Sequence, residues 1–257
     1  MNMGYAAVNG LKMYYEVHGD GTAGQPPLVL LHGGVLTIEL SFGAVLPELA
    51  IGRQVIVTEL QGHGRTADID RDMSMTAFAG DVAGLLGHLG VAQGEQADVF
   101  GFSLGGGVAL QLALDYPELV GRLIVASAGY NSDGTHPEIM DPAQWATSTR
   151  MPTAEDFRQM QEAYARVAPD PGHFDAFRAR TGQAAGSMSW TPAELGRIGA
   201  PTLLIFGDHD FITCEHAVEM SELISGAQLA VLPGATHMDV LRRADLMIPL
   251  IRGFLGR

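Results

Sequence analysis

Short, mostly apolar runs recur along the first half of the chain, and each ends in a turn that contains glycine. Leu28-Val29-Leu30-Leu31 enters His32-Gly33-Gly34-Val35, and Gln54-Val55-Ile56-Val57-Thr58 enters Glu59-Leu60-Gln61-Gly62-His63-Gly64-Arg65-Thr66. Ala97-Asp98-Val99-Phe100 enters Gly101-Phe102-Ser103-Leu104-Gly105. Continuous apolar runs bounded by turns suit strands covered on both faces. Between them the period lengthens: Phe78, Val82, Leu85, Leu86 and Leu89 fall at helical spacing and predict a helix over 76–89. Helices are also expected over 42–50, where Pro47 is an irregularity, and over 108–114. Leu123-Ile124-Val125-Ala126 reads as a further strand. At the amino end, strands over 5–8 and 11–17 flank Asn9-Gly10, a two-residue hairpin turn, and 19–27 is a loop. Strands alternating with helices predict an α/β fold with a doubly wound, mainly parallel sheet.

The pattern changes from about residue 131. No strand-like run appears before residue 198; helical pieces over 154–168 and 172–180 are separated by Pro and Gly. Both tryptophans, Trp145 and Trp190, lie here with several methionines, as expected of a helical cap over one end of the sheet. Sheet character resumes at Thr202-Leu203-Leu204-Ile205-Phe206, ending at Gly207-Asp208-His209-Asp210. A helix over 215–224, a last strand over 228–232, a loop over 233–237 and a closing helix over 244–255 follow. The expected division is a core of 1–130 and 199–257 and a cap of 131–198.

Composition narrows the function. The chain has 257 residues and a net charge of −14, from 15 basic and 29 acidic side chains. That balance, with no basic patch, argues against nucleic-acid binding and against adhesion to anionic lipid. No run approaches the ~18 apolar residues of a membrane helix. The amino end lacks a basic segment followed by an apolar one, so no signal peptide is expected. With a single cysteine, Cys214, no internal disulfide can form, and a cytoplasmic location is expected. Lys12 is the only lysine, which disfavours Schiff-base chemistry.

The candidate chemistry centres on Ser103. A strand, a tight G-x-S-x-G turn and a helix meet there, the setting of a nucleophile elbow. A serine hydroxyl needs a base, and the base an orienting acid. In open parallel sheets, ligands gather beyond the carboxyl ends of the strands. His237 follows the last strand, and Asp208 and Asp210 follow the one before it, giving the order Ser, Asp, His. The residue after the nucleophile, Leu104, would offer one N–H to a developing oxyanion. His63 and His209 with Asp208 do not have the spacing of metal ligands, so neither a metal nor a cofactor is expected.

Together, the His-Gly turn at 32–33, the elbow, the acid and His237 resemble the α/β-hydrolase fold family, in particular its capped esterase-like members. The resemblance spans nearly the whole chain. It favours Asp210 over Asp208, because the family's acid usually stands three residues after a strand-terminal glycine, here Gly207. It implies the Gly34 N–H as second oxyanion donor, with Val35 N–H as a substitute, and His32 as a partner of that loop. It implies a serine hydrolase of esters, and the small cap, with few charges near its aromatics, suggests a small or medium, mainly apolar ester or lactone. Phe102, Val35, Trp145, Met188, Trp190, Phe211 and Met238 are candidates for the substrate pocket. The partner expected is thus a small ester or lactone, and the chain could pair as a homodimer. The same triad would serve carbon–carbon bond hydrolysis, enol-lactone hydrolysis or peracid formation, while a non-catalytic receptor is the alternative from another class. The sequence departs from the family where Gln61 replaces an arginine, so that loop is expected to be held by neutral hydrogen bonds.

Overall fold

The alternating runs assemble into one eight-stranded sheet in the order β1-β2-β4-β3-β5-β6-β7-β8. The strands are β1 (Asn2–Val8), β2 (Leu11–His18), β3 (Leu28–Leu31), β4 (Val55–Thr58), β5 (Ala97–Phe102), β6 (Val120–Ala126), β7 (Thr202–His209) and β8 (Gln228–Thr236). The pairings β1–β2 and β2–β4 are antiparallel, and every other neighbouring pair is parallel. This computed structural model describes residues 2–21, 25–91 and 94–256; residues 22–24 of the expected 19–27 loop lie outside them. The hairpin turn forms at Asn9 (φ 48°) and Gly10 (φ 81°), the left-handed pair that a two-residue turn requires.

Among the described residues the helices are α1 (Ile38–Phe42), α2 (Leu46–Leu49), α3 (Met75–His88), α4 (Leu104–Asp115), α5 (Pro137–Met140) and α6 (Ala154–Val167). They continue with α7 (Phe174–Gly186), α8 (Pro192–Leu195), α9 (Cys214–Leu223), α10 (Asp239–Arg242) and α11 (Ala244–Phe254). Side chains alternate across a strand, so each buried strand feeds two cores. Val29, Leu31, Ile56 and Val99 pack with α3, α4 and α9 on one face. Leu28, Leu30, Val55, Val57 and Phe100 pack with α1, α2 and α11 on the other. Between β6 and β7 the chain is helical, from α5 to α8. Thr153 with Asp156 and Thr191 with Glu194 form capping boxes at the starts of α6 and α8.

Several boundaries differ from expectation, among them those of α2, β7 and β8. The helix expected over 42–50 is two short ones, with Pro47 in the first turn of α2, where its missing N–H costs nothing. β7 continues through Gly207 and Asp208 to His209. β8 likewise takes in Pro233-Gly234-Ala235-Thr236, which was expected to be loop. Proline is tolerated there because β8 is an edge strand, bonded only to β7. Among the described residues no helix is long and apolar enough to cross a membrane.

A buried ion pair lies inside this core. Arg53, 2% exposed, pairs with Asp98, 1% exposed, and its Nε donates to Pro26 O at 2.8 Å. Removing one partner of a buried pair strands the other charge, at a cost of ~3–5 kcal/mol. In Arg53→Ala, Asp98 keeps the part-exposed Arg122, whose Nη1 is 3.5 Å from Asp98 Oδ2. The substitution is therefore expected to lower the unfolding free energy by about 3 kcal/mol, the low end of that range, as read by urea denaturation.

Candidate active site

β5 delivers Ser103 at the tip of a turn that only small residues can make. A Cβ on Gly101 would lie 2.1 Å from Gly105 O, and one on Gly105 would lie 2.1 Å from Leu31 O. Both glycines of the motif are thus required by close backbone approach. Ser103 itself sits at φ 52°, ψ −117°, a sparsely populated conformation for any residue with a side chain. Its N–H donates to Ala126 O at 2.8 Å, which anchors the turn to β6.

Asp210 follows β7 and His237 follows β8. His237 Nε2 is 2.9 Å from Ser103 Oγ, and His237 Nδ1 is 2.6 Å from Asp210 Oδ1. His237 lies between two aromatic rings: Phe211 stacks on it at 3.8 Å and 6°, and Phe102 is tilted against it at 5.0 Å. Asp210 is fully buried and accepts four hydrogen bonds. Besides His237, these come from Phe211 N–H (2.7 Å), Gly207 N–H (3.2 Å) and Ser127 Oγ (2.5 Å). Burial alone would raise the Asp210 carboxyl, but the charge on His237 and these donors hold it below its ordinary value. Asp208 does other work: its Oδ1 accepts Ala235 N–H at 3.0 Å and bonds His209 Nδ1 at 2.8 Å. It ties β7 to β8, and donation from the backbone at Gly234, then from His209, holds it at about 2.

The loop after β3 lies against the start of α4. A Cβ on Gly34 would be 3.7 Å from Leu104 Cβ and 3.1 Å from Thr181 Cγ2 of α7. Leu104 opens α4, so its N–H has no carbonyl partner within the helix. Val35 N–H is already committed, donating to His63 Nε2 at 3.2 Å, so the expected substitute donor falls away. His32 is completely buried. Its Nδ1 bonds Gly33 O at 2.8 Å and its Nε2 accepts Leu60 N–H at 3.0 Å. Burial pushes its pKa down to about 4.

That depression has a pH consequence. In the unfolded chain the His32 imidazole takes up a proton near pH 6.5, whereas the folded one stays neutral until about pH 4. The folded state then binds fewer protons, so stability is complete above pH 6.5 and is lost as pH falls towards 4. The expected loss across that window is about 3 kcal/mol, with no further loss from this group below it. Denaturation series at stepped pH check this, and His32→Asn should flatten the slope.

The pocket candidates separate into two sets. Phe211, stacked on His237, and Met238, next to it in sequence, are half-buried. Val35 is half-buried in the turn after β3 and bonded to His63, whereas Phe102 is buried beneath His237. Met188 packs one turn along α4, where a Cβ on Gly107 would meet its Sδ. The two tryptophans are corrections. Trp145 is 43% exposed and donates Nε1–H to Ile139 O at 2.8 Å, so it faces outward. Trp190 is buried, but its Nε1–H goes to Gln111 Oε1 at 2.9 Å on the second half of α4; it fastens the helical segment to the core.

The Gln61 expectation also needs correction. Gln61 Nε2 donates to Asp68 Oδ1, Ile69 O and Arg71 O, while its Oε1 accepts from Arg71 Nε and Nη2. Arg180 of α7 pairs with Asp68. The loop is therefore held by two arginines, Arg71 from later in the same connection and Arg180 from α7, not by neutral bonds alone. A cavity of about 350 Å³ opens beside this cluster, between Asp68, Asp70, Tyr164, Asp170, His173 and Arg180, and includes none of Ser103, Asp210 and His237 in its wall.

Sequence reasoning missed Ser127 and Arg150. Ser127 stands at the carboxyl end of β6 with φ 55° and reaches Asp210. The strand-end position was its one available signal. Arg150 Nη1 donates to Asp210 O at 3.0 Å from the helical segment, a contact without any local signature.

With this geometry established, the likeness to known proteins is informative. A family model described as the alpha/beta hydrolase fold matches residues 26–175. An uncharacterised protein of Mycobacterium tuberculosis is 35% identical over 125 residues, covering 49% of this chain and 34% of that protein. The match thus spans about a third of that relative's length. A protein of Pseudomonas sp. named 2-hydroxymuconate semialdehyde hydrolase is 28% identical, covering 90% of this chain and 87% of that one. A meta-cleavage product hydrolase from Pseudomonas fluorescens shares the fold with a TM-score of 0.80 at 21% identity, covering 100% and 97% of the two chains.

Proposed function

Because the chain belongs to the α/β hydrolase fold family, we propose that it is a serine hydrolase of small to medium, mainly apolar carboxylic esters or lactones. One observation carries the reading: a single imidazole, His237, bonds Ser103 Oγ through one nitrogen and buried Asp210 through the other. In this reading Ser103 Oγ attacks the substrate carbonyl as its proton passes to His237 Nε2. Asp210, held ionised, fixes the Nδ1–H tautomer and stabilises the imidazolium. The N–H groups of Leu104 and Gly34 receive the oxyanion. His237 then protonates the departing alcohol, and water activated by the same imidazole releases the acid from Ser103. No step calls on a cofactor. The helical segment between β6 and β7 acts as the cap, and Val35, Met188, Phe211 and Met238 line an apolar acyl site.

A second reading rests on the relative named 2-hydroxymuconate semialdehyde hydrolase. That compound has no ester bond, so its hydrolysis breaks a carbon–carbon bond, and the same triad would serve. A substrate panel separates the two. Wild type is expected to release p-nitrophenol from short acyl esters or to open simple lactones. Turnover confined to a 2-hydroxy-6-oxodienoate, followed by loss of its visible absorbance, would replace the ester reading with the second. Silence on the whole panel would remove both.

A further inference from the structure

The turn after β4 contains a buried histidine that the proposed chemistry does not use. His63 is fully buried, and both of its nitrogens are committed. Nδ1 bonds Gln61 O at 3.0 Å, and Nε2 lies 3.2 Å from Val35 N. A carbonyl partner at Nδ1 and an N–H partner at Nε2 permit one tautomer: neutral, protonated at Nδ1. Val35, its partner, has φ 65°. That is a true outlier for a β-branched residue and persists only where the surroundings enforce it.

The enforcement is reciprocal. His32, from the turn after β3, accepts Leu60 N–H from the turn after β4; His63, from the latter, accepts Val35 N–H from the former. The two rings lie 4.6 Å apart, and Phe177 of α7 closes edge-on over His63 at 4.6 Å and 87°. Each bond fixes one peptide plane. Gly33 O, held by His32 Nδ1–H, belongs to the plane that carries Gly34 N–H; Val35 N–H, held by His63, belongs to the next. The planes flanking Gly34 are therefore both pinned, and Gly34 lies against Leu104.

We propose that His63 is a positioning residue: by accepting Val35 N–H it holds the Gly34–Val35 backbone so that Gly34 N–H points at the oxyanion position. The role rests on the ester-hydrolase reading. Burial, and next the neighbouring His32, keep the His63 pKa well below its ordinary value, which favours the neutral ring that the two hydrogen bonds already require.

His63→Met and His63→Gln test this, because the two side chains are alike in length but only Gln offers a strong acceptor. Loss of an oxyanion donor outright costs ~100- to 1000-fold in kcat; misaiming one by losing its support should cost ~30-fold. His63→Met is expected to lower kcat for a p-nitrophenyl ester by that factor with KM within about twofold, and to weaken a trifluoromethyl ketone inhibitor in parallel. His63→Gln should recover kcat to within about threefold of wild type. Equal kcat in Met and Gln variants, or a loss carried by KM, overturns the role. Nitrogen-15 NMR of wild type applies even where a variant does not fold: a His63 proton on Nδ1 supports the role, and one on Nε2 overturns it. Turnover that depends on Ser103 but not on His63 removes this inference alone. Absence of Ser103-dependent turnover removes the hydrolase reading and the inference with it.

Discussion

Ser103→Ala is expected to lower kcat for ester hydrolysis by at least ~10⁴-fold while leaving KM within a few-fold. The size follows from what the side chain supplies. It is the only group at the elbow tip that can form a bond to the acyl carbon, and its replacement leaves the imidazole with nothing to deprotonate except water. Binding and the oxyanion donors remain, so slow residual hydrolysis over solvent is expected. The substitution should fold as wild type does, because the turn is set by Gly101 and Gly105, whose close approaches to backbone are unaffected. Initial rates of p-nitrophenol release across a substrate series check both halves of the expectation. A kcat unchanged by Ser103→Ala would mean that the chemistry lies elsewhere.

Asp210→Asn has the second largest expected effect, a fall of ~10⁴-fold in kcat. The amide keeps the volume but replaces an acceptor with a donor. Asp210 accepts hydrogen bonds at both oxygens, from His237 and Phe211 at Oδ1 and from Ser127 and Gly207 at Oδ2. An asparagine cannot accept at both ends. Whichever way it turns, its amino group faces a backbone N–H; turned toward Phe211 and His237, it can be bonded only by an unprotonated Nδ1, the tautomer whose protonated Nε2 cannot receive the serine proton. The carboxyl's low pKa also has a defined sign. With a folded value below its ordinary 3.8, Asp210 contributes stability above that value and loses it as pH falls through the lower one. A decline in activity between pH 8 and 5 therefore cannot come from Asp210. The check is kcat against pH for wild type and Asp210→Asn; an asparagine variant within tenfold of wild type would sink the assigned role.

Much of this site could be read from the chain because it depends on local punctuation. Ser103 is marked by a strand, two glycines at fixed offsets and a helix start, all within a few residues. His237 is marked by standing after the last strand. The choice between Asp208 and Asp210 is different in kind: both follow the same strand, and the family resemblance favoured the second. In the fold, the difference comes from a turn in which Asp210 N–H bonds Gly207 O at 3.2 Å, while Asp208 remains within β7 and bonds β8.

What the chain did not reveal depends on contacts between residues far apart in sequence. Trp190 is apolar in a segment expected to cover a pocket, and composition cannot distinguish a pocket wall from a packing anchor. Gln111, 79 residues away, decides the matter by accepting its indole N–H. Gln61 looked like a lost charge because Arg71 comes ten residues later in the same connection and Arg180 lies on α7. Ser127 is one serine at a strand end, and its left-handed backbone and its bond to Asp210 exist only once β6 and β7 are side by side. Pro233 suggested a loop because a proline breaks a central strand, but the sheet order makes β8 an edge.

The most direct test of the central claim is acid-quenched peptide mass spectrometry of wild type during turnover of a p-nitrophenyl ester. An acyl adduct is expected on Ser103, formed within the first turnover and lost at the rate of steady-state hydrolysis. Steady turnover with Ser103 unmodified, or with the acyl group on another residue, would contradict it.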